Sequence, residues 1–341
     1  MNYSFSINNT KFESSYKDSD IVEIQSHPKN YLVYFKKFTN DFPEKSVVLI
    51  DSKVKEIYNI THNHLISIDS IEQNKNINTV LDVCEKLLKV NFDKSWTLYA
   101  IGGGIIQDIA AFSSKIFKRG IDWIFIPTTL LSQCDSCIGG KTALNFYDYK
   151  NQLALYSAPK SVVIDTDFLK SLSNDDIISG YGEIVKLFLI GGQYYVNNIN
   201  NFSIKQSIFH SLMIKKAVIE YDEFEKSERK SLNYGHSFGH AIESVTNYKI
   251  PHGESVMLGI EIINKLFTNS KDISNLISKY TNINKIRNVD CSQLISSLKT
   301  DKKISNGIIS FVVVNKPGET IFVEHSLDNI LEQKIHEILI N

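Results

Sequence analysis

Trp96-Thr97-Leu98-Tyr99-Ala100-Ile101 runs directly into Gly102-Gly103-Gly104, and Ile109, Phe112 and Ile116 follow at helical spacing. The first six residues read as a strand and the later set as one face of a helix, so the glycines mark a strand-to-helix turn. Glycine lets a backbone approach a phosphate closely, and a helix N-terminus supplies unpaired N–H groups and the positive end of its dipole. That suits a dinucleotide pyrophosphate. The G-x-G-x-x-G fingerprint is not met, because Gln107 holds its last position. Asp122, near the offset of a ribose-binding acid, starts its strand instead of ending it. A plain tight turn and a non-standard Rossmann variant both remain open on these residues.

Outward from this turn, strand and helix signals alternate. Tyr31–Phe35 and Ser46–Asp51 read as strands, the second buried and ending in an acid. Ile77–Leu88 carries Val80, Leu81, Cys84, Leu87 and Leu88 at helical spacing, and Ile121–Ile126 is a strand closed by Pro127. Alternation of this kind implies βαβ units and a parallel sheet. From about Asn174 to Asn284 the pattern turns mostly helical. A late hairpin is predicted at Gly307–Val314 and Glu319–Glu324, turned by Pro317-Gly318. The expectation is an α/β half followed by a helical half, with the boundary near Asp165–Ser173.

The composition is ordinary for a soluble globular protein, and the 341 residues are enough for two domains. Lys plus Arg is 37 and Asp plus Glu is 38, a balance that argues against nucleic acid or an anionic membrane as partner. No apolar run approaches the ~20 residues of a membrane span, and Met1–Phe5 lacks the basic start of a signal peptide, so a cytoplasmic protein is expected. The cysteines, Cys84, Cys134, Cys137 and Cys291, are too scattered for a disulfide scaffold. Cys134-Asp135-Ser136-Cys137 is formally a C-x-x-C. It lacks a second such pair or a thioredoxin-like setting, and two small residues in a turn account for it better than a redox or metal pair does.

Asn233-Tyr234-Gly235-His236-Ser237-Phe238-Gly239-His240-Ala241-Ile242-Glu243 is the richest stretch for chemistry. His236 and His240 share a helical face. Gly235 and Gly239 precede them, and two glycines at such cost in a helix, about 0.5–1 kcal/mol each, suggest a close backbone neighbour. Pro251-His252-Gly253-Glu254 follows a short loop, and Gly180-Tyr181-Gly182-Glu183-Ile184-Val185-Lys186 places an acid and a lysine three apart. Imidazoles and a carboxylate suit zinc, and a catalytic site uses three protein ligands with a fourth position open. Histidines four apart also occur as ordinary surface groups. Lys141, Lys150, Lys186, Lys215, Arg229 and Lys302-Lys303 lie beside these motifs, as an anionic substrate bearing phosphate and carboxylate would require.

Together these residues resemble the dehydroquinate synthase family of sugar-phosphate cyclases, most densely from Trp96 to Phe267. The matching motifs, in order, are Gly102-Gly103-Gly104 with Asp108, Arg119-Gly120, Pro127-Thr128-Thr129-Leu130-Leu131 and Asp135-Ser136. Gly139-Gly140-Lys141-Thr142, Lys150-Asn151, Glu183 with Lys186, Asp222-Glu223, Leu232 to Glu243, and His252-Gly253-Glu254 follow.

The resemblance implies an N-terminal α/β dinucleotide-binding domain of Rossmann-like variant type over 1–170. It implies a mostly α-helical metal- and substrate-binding domain over 171–341. Glu183, His236 and His252 would bind zinc, with cobalt as the alternative, and His240 would lie near the substrate. Asp135, Lys141, Lys186 and Asn233 would be catalytic. Arg119, Lys215, Arg229 and one of Lys302 or Lys303 would bind the substrate, Arg119 from a neighbouring subunit of a homodimer. NAD would meet Asp51, Glu72, Lys75, Gly103, Gly104, Asp108, Thr128, Thr129, Lys150 and Asn151.

The implied reaction takes a small phosphorylated sugar acid, 3-deoxy-D-arabino-heptulosonate 7-phosphate, to 3-dehydroquinate and phosphate. It proceeds by transient oxidation, phosphate elimination, re-reduction and aldol closure, a step of aromatic amino-acid biosynthesis by the shikimate route. The chain departs from the family at Gln107, Ala111 and Tyr149, where glycine is usual. The segment Tyr149–Tyr156 also resembles cyclases that take a neutral substrate such as sedoheptulose 7-phosphate, in secondary metabolism or surface polysaccharide synthesis. A metal-dependent alcohol dehydrogenase and a non-catalytic binding homologue are the further alternatives.

Overall fold

The computed structural model describes residues 2–15, 19–147, 149–299, 304–305 and 307–340. The described residues of Met1–Lys17 and Ser173–Asn341 form one compact unit, and those of Asp18–Leu172 the other. The expected division placed 1–170 together. The first strands, β1 (Asn2–Ile7) and β2 (Thr10–Ser15), instead fold with the helical unit, because β1 pairs in parallel with a strand more than 300 positions downstream, at Ser6↔Glu319 and Ile7↔Thr320. A pairing of that sequence separation leaves no local signal.

The α/β unit contains β3 (Ile21–Ile24), β4 (Tyr31–Phe35), β5 (Ser46–Asp51), α1 (Ser52–Tyr58), β6 (Leu65–Ile68) and α2 (Ile77–Lys89). It continues with β7 (Thr97–Gly102), α3 (Gly104–Ile116), β8 (Trp123–Pro127), β9 (Lys141–Phe146), β10 (Tyr149–Tyr156) and β11 (Ser161–Ile164). Its seven-stranded sheet has the order β3-β4-β11-β8-β7-β5-β6. All neighbours are parallel except β3 and β4. Val47, Val48, Leu49 and Ile50 of β5 are all buried, as a strand covered on both faces requires. The chain leaves β5 for β6 on one side and returns to β7 on the other, so the order reverses between β5 and β7. Ligands of doubly wound sheets sit outside the carboxyl ends of strands at such a reversal. Asp51 and Gly102 end these two strands. β9 and β10 form a separate antiparallel hairpin.

The second unit holds α4 (Asn174–Gly191), α5 (Gln193–Asn198), α6 (Ile204–Tyr221), α7 (His236–Val245), α8 (His252–Phe267), α9 (Lys271–Ile277) and α10 (Cys291–Lys299). It ends with β12 (Ile304–Ser305), β13 (Ile308–Lys316), β14 (Glu319–Ser326) and α11 (Asn329–Ile340). The hairpin read from Pro317-Gly318 is β13–β14, and it sits in a five-stranded sheet, β12-β13-β14-β1-β2. This unit is therefore helical with a sheet of its own.

α8 is buried on every face over 253–264, as befits the central helix of a bundle. Two neighbours reach it backbone to backbone. A β-carbon on Gly182 of α4 would land on the Gly253 carbonyl, and one on Gly253 would land on the Ser179 carbonyl. On α7, a β-carbon at Gly239 would lie 3.1 Å from the Val256 Cα. Gly235 turns the chain into α7 at φ +79°, a conformation that glycine adopts without strain, and a β-carbon there would lie 2.6 Å from both the Val256 carbonyl oxygen and Ile260 Cγ1.

Gly182→Ala and Gly253→Ala are each expected to cost about 1–3 kcal/mol or more, read from denaturant midpoints. Gly104→Ala, whose β-carbon would meet nothing within 4 Å, should cost less than about 1 kcal/mol. Equal costs at the three positions would show that the close helix contact is not what demands glycine.

Candidate metal centre and nucleotide-binding turn

The tight crossing of α4 and α8 sets Glu183, one residue past Gly182, beside His252, one residue before Gly253. Glu183 Oε1 lies 3.3 Å from His252 Nε2 and 3.6 Å from His236 Nε2. The three donor atoms all lie within 4.8 Å of one another. Two ligands at ~2.0–2.1 Å on a tetrahedral ion stand roughly 3.3 Å apart, so the donor spacing and chemistry fit a divalent cation such as zinc.

The ring orientations fit too. His236 Nδ1 meets the Tyr234 carbonyl at 3.1 Å, and His252 Nδ1 meets Glu243 Oε2 at 3.0 Å. A proton held at each Nδ1 turns both Nε2 atoms toward Glu183, where each can give its lone pair to an ion once any Nε2 proton is lost. Glu183, 1 % exposed, also contacts the ammonium of Lys186 one turn along α4. Burial by itself would lower the His252 pKa, but its bonds to Glu183 and Glu243 outweigh burial and push it up to about 10. Two carboxylates here favour a positive charge between them. His240, exposed on the same face of α7, has its ring 5.3 Å from His236 and 5.8 Å from His252. His240, Glu243 and His252 also form a second group within donor range.

Near this centre a loop is built on Asp222, whose carboxylate accepts from the backbone N–H groups of Lys226, Ser227 and Arg229 at 2.8–3.0 Å. Burial would raise its pKa; these bonds more than offset that and lower it. The loop leads to the turn Glu228–Asn233, which packs on α4 and α6. Arg229 is buried and donates to the Glu223 carbonyl. Asn233 Nδ2 donates to Glu225 Oε1 at 2.6 Å. Lys215 is buried on α6. Lys302 and Lys303 lie outside the described residues.

In the α/β unit, Gly103 caps α3 and Gly104 opens it. The Thr128 amide donates to the Gly102 carbonyl at 2.9 Å, and Thr129 bonds Ser132. Asp51 caps α1 through bonds from the Lys53 and Val54 amides. Lys75 joins Asp108 at 2.7 Å and Asn151 at 2.8 Å. Burial pushes the Asp108 pKa up, with Lys75 opposing. Lys150 lies 3.6 Å from Glu72. Thus Glu72, Lys75, Asp108, Lys150 and Asn151 are joined in one polar cluster.

Asn145 is the partner that sequence reading missed. Its backbone N–H bonds the Lys75 carbonyl, its Nδ2 bonds Glu72, and its Oδ1 accepts from the Asn151 amide. Asp135 sits in a π-helical turn, Ser132–Ser136, and Lys141 opens β9, exposed. Arg119 stands apart, exposed in the turn at the far end of α3 with φ +62°, about 20 Å along the helix from the glycines. Cys134 and Cys137 are buried, their thiols against the Leu131 and Gln133 carbonyls. No described helix is long and apolar enough to cross a membrane.

Family profiles match both halves of the chain: 3-dehydroquinate synthase N-terminal over residues 65–179 and 3-dehydroquinate synthase C-terminal over 180–304. A 3-dehydroquinate synthase of Pelagibacter ubique is 38 % identical over 276 residues, 74 % of this chain and 75 % of its own. Among solved structures, 2-deoxy-scyllo-inosose synthase with carbaglucose-6-phosphate, NAD+ and Co2+ superposes with a TM-score of 0.79 at 22 % identity. That match covers 93 % of this chain and 99 % of the other. The 2-epi-5-epi-valiolone synthase of Streptomyces hygroscopicus with NAD+ and Zn2+ gives 0.74 at 21 %, over 95 % and 98 %.

One zinc per chain is expected, with a proton released on uptake near neutral pH. With its pKa raised, His252 is protonated below about pH 10 in the metal-free protein, and a ligand must give up its proton. Affinity should therefore rise from about pH 6 to about pH 8, and calorimetry in buffers of different ionisation enthalpy reads the proton. Equal affinity at both pH values contradicts this. Glu243→Gln should weaken zinc by about 10–100-fold; unchanged affinity would show that its bond to His252 has no bearing on the metal.

Proposed function

The chain belongs to the 3-dehydroquinate synthase family, and from that premise we propose that it converts 3-deoxy-D-arabino-heptulosonate 7-phosphate to 3-dehydroquinate and phosphate. The convergence of Glu183 Oε1 with the Nε2 atoms of His236 and His252, each ring held by its own Nδ1 partner, carries this reading. NAD and zinc or cobalt, when bound, would supply a hydride acceptor restored in each turnover and a Lewis acid for the substrate hydroxyl.

Glu183, His236 and His252 would hold the ion. Gly103, Gly104, Thr128 and Thr129 would present backbone and hydroxyl groups to the dinucleotide phosphates. Asp51, Glu72, Lys75, Asp108, Lys150 and Asn151 would fix its remaining polar groups. Lys215 and Arg229, buried cations, would draw the phosphate and carboxylate out of water, because charge-assisted bonds strengthen in a site of low dielectric. Lys186 and Asn233 would orient the ring hydroxyls, and Asp135 and Lys141 would also contact the substrate. His240 would carry a proton at the substrate. Arg119 would serve the partner subunit of a homodimer, and Lys302 or Lys303 would add a further cation.

The overall reaction is redox-neutral, which separates it from the dehydrogenase alternative. A second cyclase reading, for sedoheptulose 7-phosphate, is motivated by the Tyr149–Tyr156 segment, whose Tyr149 is exposed on the hairpin.

Purified chain with zinc, NAD and the seven-carbon keto-acid phosphate is expected to release one phosphate per substrate with no accumulation of NADH. Chelation should stop turnover, and sedoheptulose 7-phosphate should not replace the acid. Net NADH would point to a dehydrogenase, turnover of the neutral sugar alone to the second cyclase, and no phosphate from either substrate would remove both cyclase readings.

A further inference from the structure

Gln107 lies in the first turns of α3, three residues past Gly104, and is buried at 5 % exposure. Its side chain leaves the helix and makes a reciprocal pair with Ser136. Nε2 donates to the Ser136 carbonyl at 2.7 Å, and the Ser136 hydroxyl donates to Oε1 at 2.6 Å. Ser136 is the last residue of the π-helical turn and directly follows Asp135. Single π turns are rare and their end carbonyls need partners from outside the helix.

The same turn is held at two other points. Thr129 and Ser132 bond each other at its start, with hydroxyls 2.8 Å apart. Gln133 Nε2 donates to the Pro127 carbonyl at 3.0 Å and the Asp165 carbonyl at 2.8 Å beneath it. Its far end, where Asp135 sits, is the end Gln107 grips. A glycine at this position could not make that bond.

We propose that Gln107 is a positioning residue that fixes Asp135 through Ser136 and ties the π turn to the glycine turn at the start of α3. The adjacent Asp108 supports the same geometry. Its carbonyl accepts from Thr142 Oγ1, and its carboxylate accepts from the Ala143 amide and pairs with Lys75. Neighbouring residues on one helical turn thus hold the segment bearing Asp135 and the strand opened by Lys141. The part of the proposal that concerns turnover rests on the contact of Asp135 with substrate stated above.

Gln107→Leu keeps the bulk and removes both bonds. Hydrogen exchange of the protein alone, without NAD, metal or substrate, should speed up over residues 133–138 and stay unchanged in β5. In turnover, kcat should fall about tenfold, because small misplacement of a reacting group is costly, while the NAD dissociation constant stays within about twofold. Gln107→Glu should lose activity at high pH, where its carboxylate still accepts from the Ser136 hydroxyl but faces the Ser136 carbonyl without a proton to donate, and should regain activity relative to the parent as the pH falls. A protonated carboxyl again donates to the Ser136 carbonyl, whereas the carboxylate cannot. Unchanged exchange over 133–138, loss of NAD affinity in step with kcat, or a glutamate variant that follows the leucine variant at every pH would each overturn the proposal. A parent chain that releases no phosphate would sink the proposed reaction instead and leave the exchange comparison to decide the clamp.

Discussion

The helical unit depends on one close contact, the crossing of α4 and α8 at Gly182 and Gly253. Without side chains at these points the backbones can touch, and the flanking residues Glu183 and His252 are delivered to one place. The crossing is also pinned by the Gly253 amide, which donates to Ser179 Oγ at 3.1 Å. Glu183 at 1 % exposure would be intolerable as a lone charge, since an uncompensated buried carboxylate costs on the order of 3–5 kcal/mol. Lys186, His236 and His252 surround it instead. The fold thus concentrates negative charge where a cation can relieve it. The outer partners, Tyr234 and Glu243, decide which nitrogen of each ring faces inward.

In the α/β unit the corresponding constraint is the first stretch of α3. The glycines leave the helix N-terminus open to an anion, while Gln107 and Asp108 reach sideways to the π turn and to β9. The glycine turn at the start of α3 and the segments carrying Asp135 and Lys141 are therefore parts of one hydrogen-bonded assembly. Lys75, Glu72 and Asn145 extend it to Lys150 and Asn151 on the hairpin. The Lys75–Asp108 pair lies mostly out of water, at 12 % and 16 % side-chain exposure, so it holds geometry better than a solvated surface pair would.

What could be read from the sequence followed physical range. Tyr31–Phe35, Ser46–Asp51 and the Pro317-Gly318 hairpin announce themselves through local periodicity and turn chemistry, and the structure has them with bounds close to those read. Gly235 and Gly239 signalled a close neighbour, and α8 is that neighbour. The convergence of Glu183, His236 and His252 came from family resemblance, because spacing left His240 equally eligible. Long-range partners gave no signal. The β1–β14 pairing, the grip of Asn145 on Glu72 and the grip of Gln107 on Ser136 each join segments whose neighbours in sequence say nothing of the contact. Gln107 was legible only as a departure from glycine. Its purpose required coordinates.

X-ray absorption at the zinc edge of the purified, metal-loaded chain reads the central claim most directly. The account predicts a shell of nitrogen and oxygen donors at about 2.0–2.2 Å, with imidazole scattering from two rings, lost together with the ion in a Glu183→Ala, His236→Ala, His252→Ala triple variant. A sulfur shell near ~2.3 Å, or an unchanged spectrum from the triple variant, would place the metal elsewhere and contradict it.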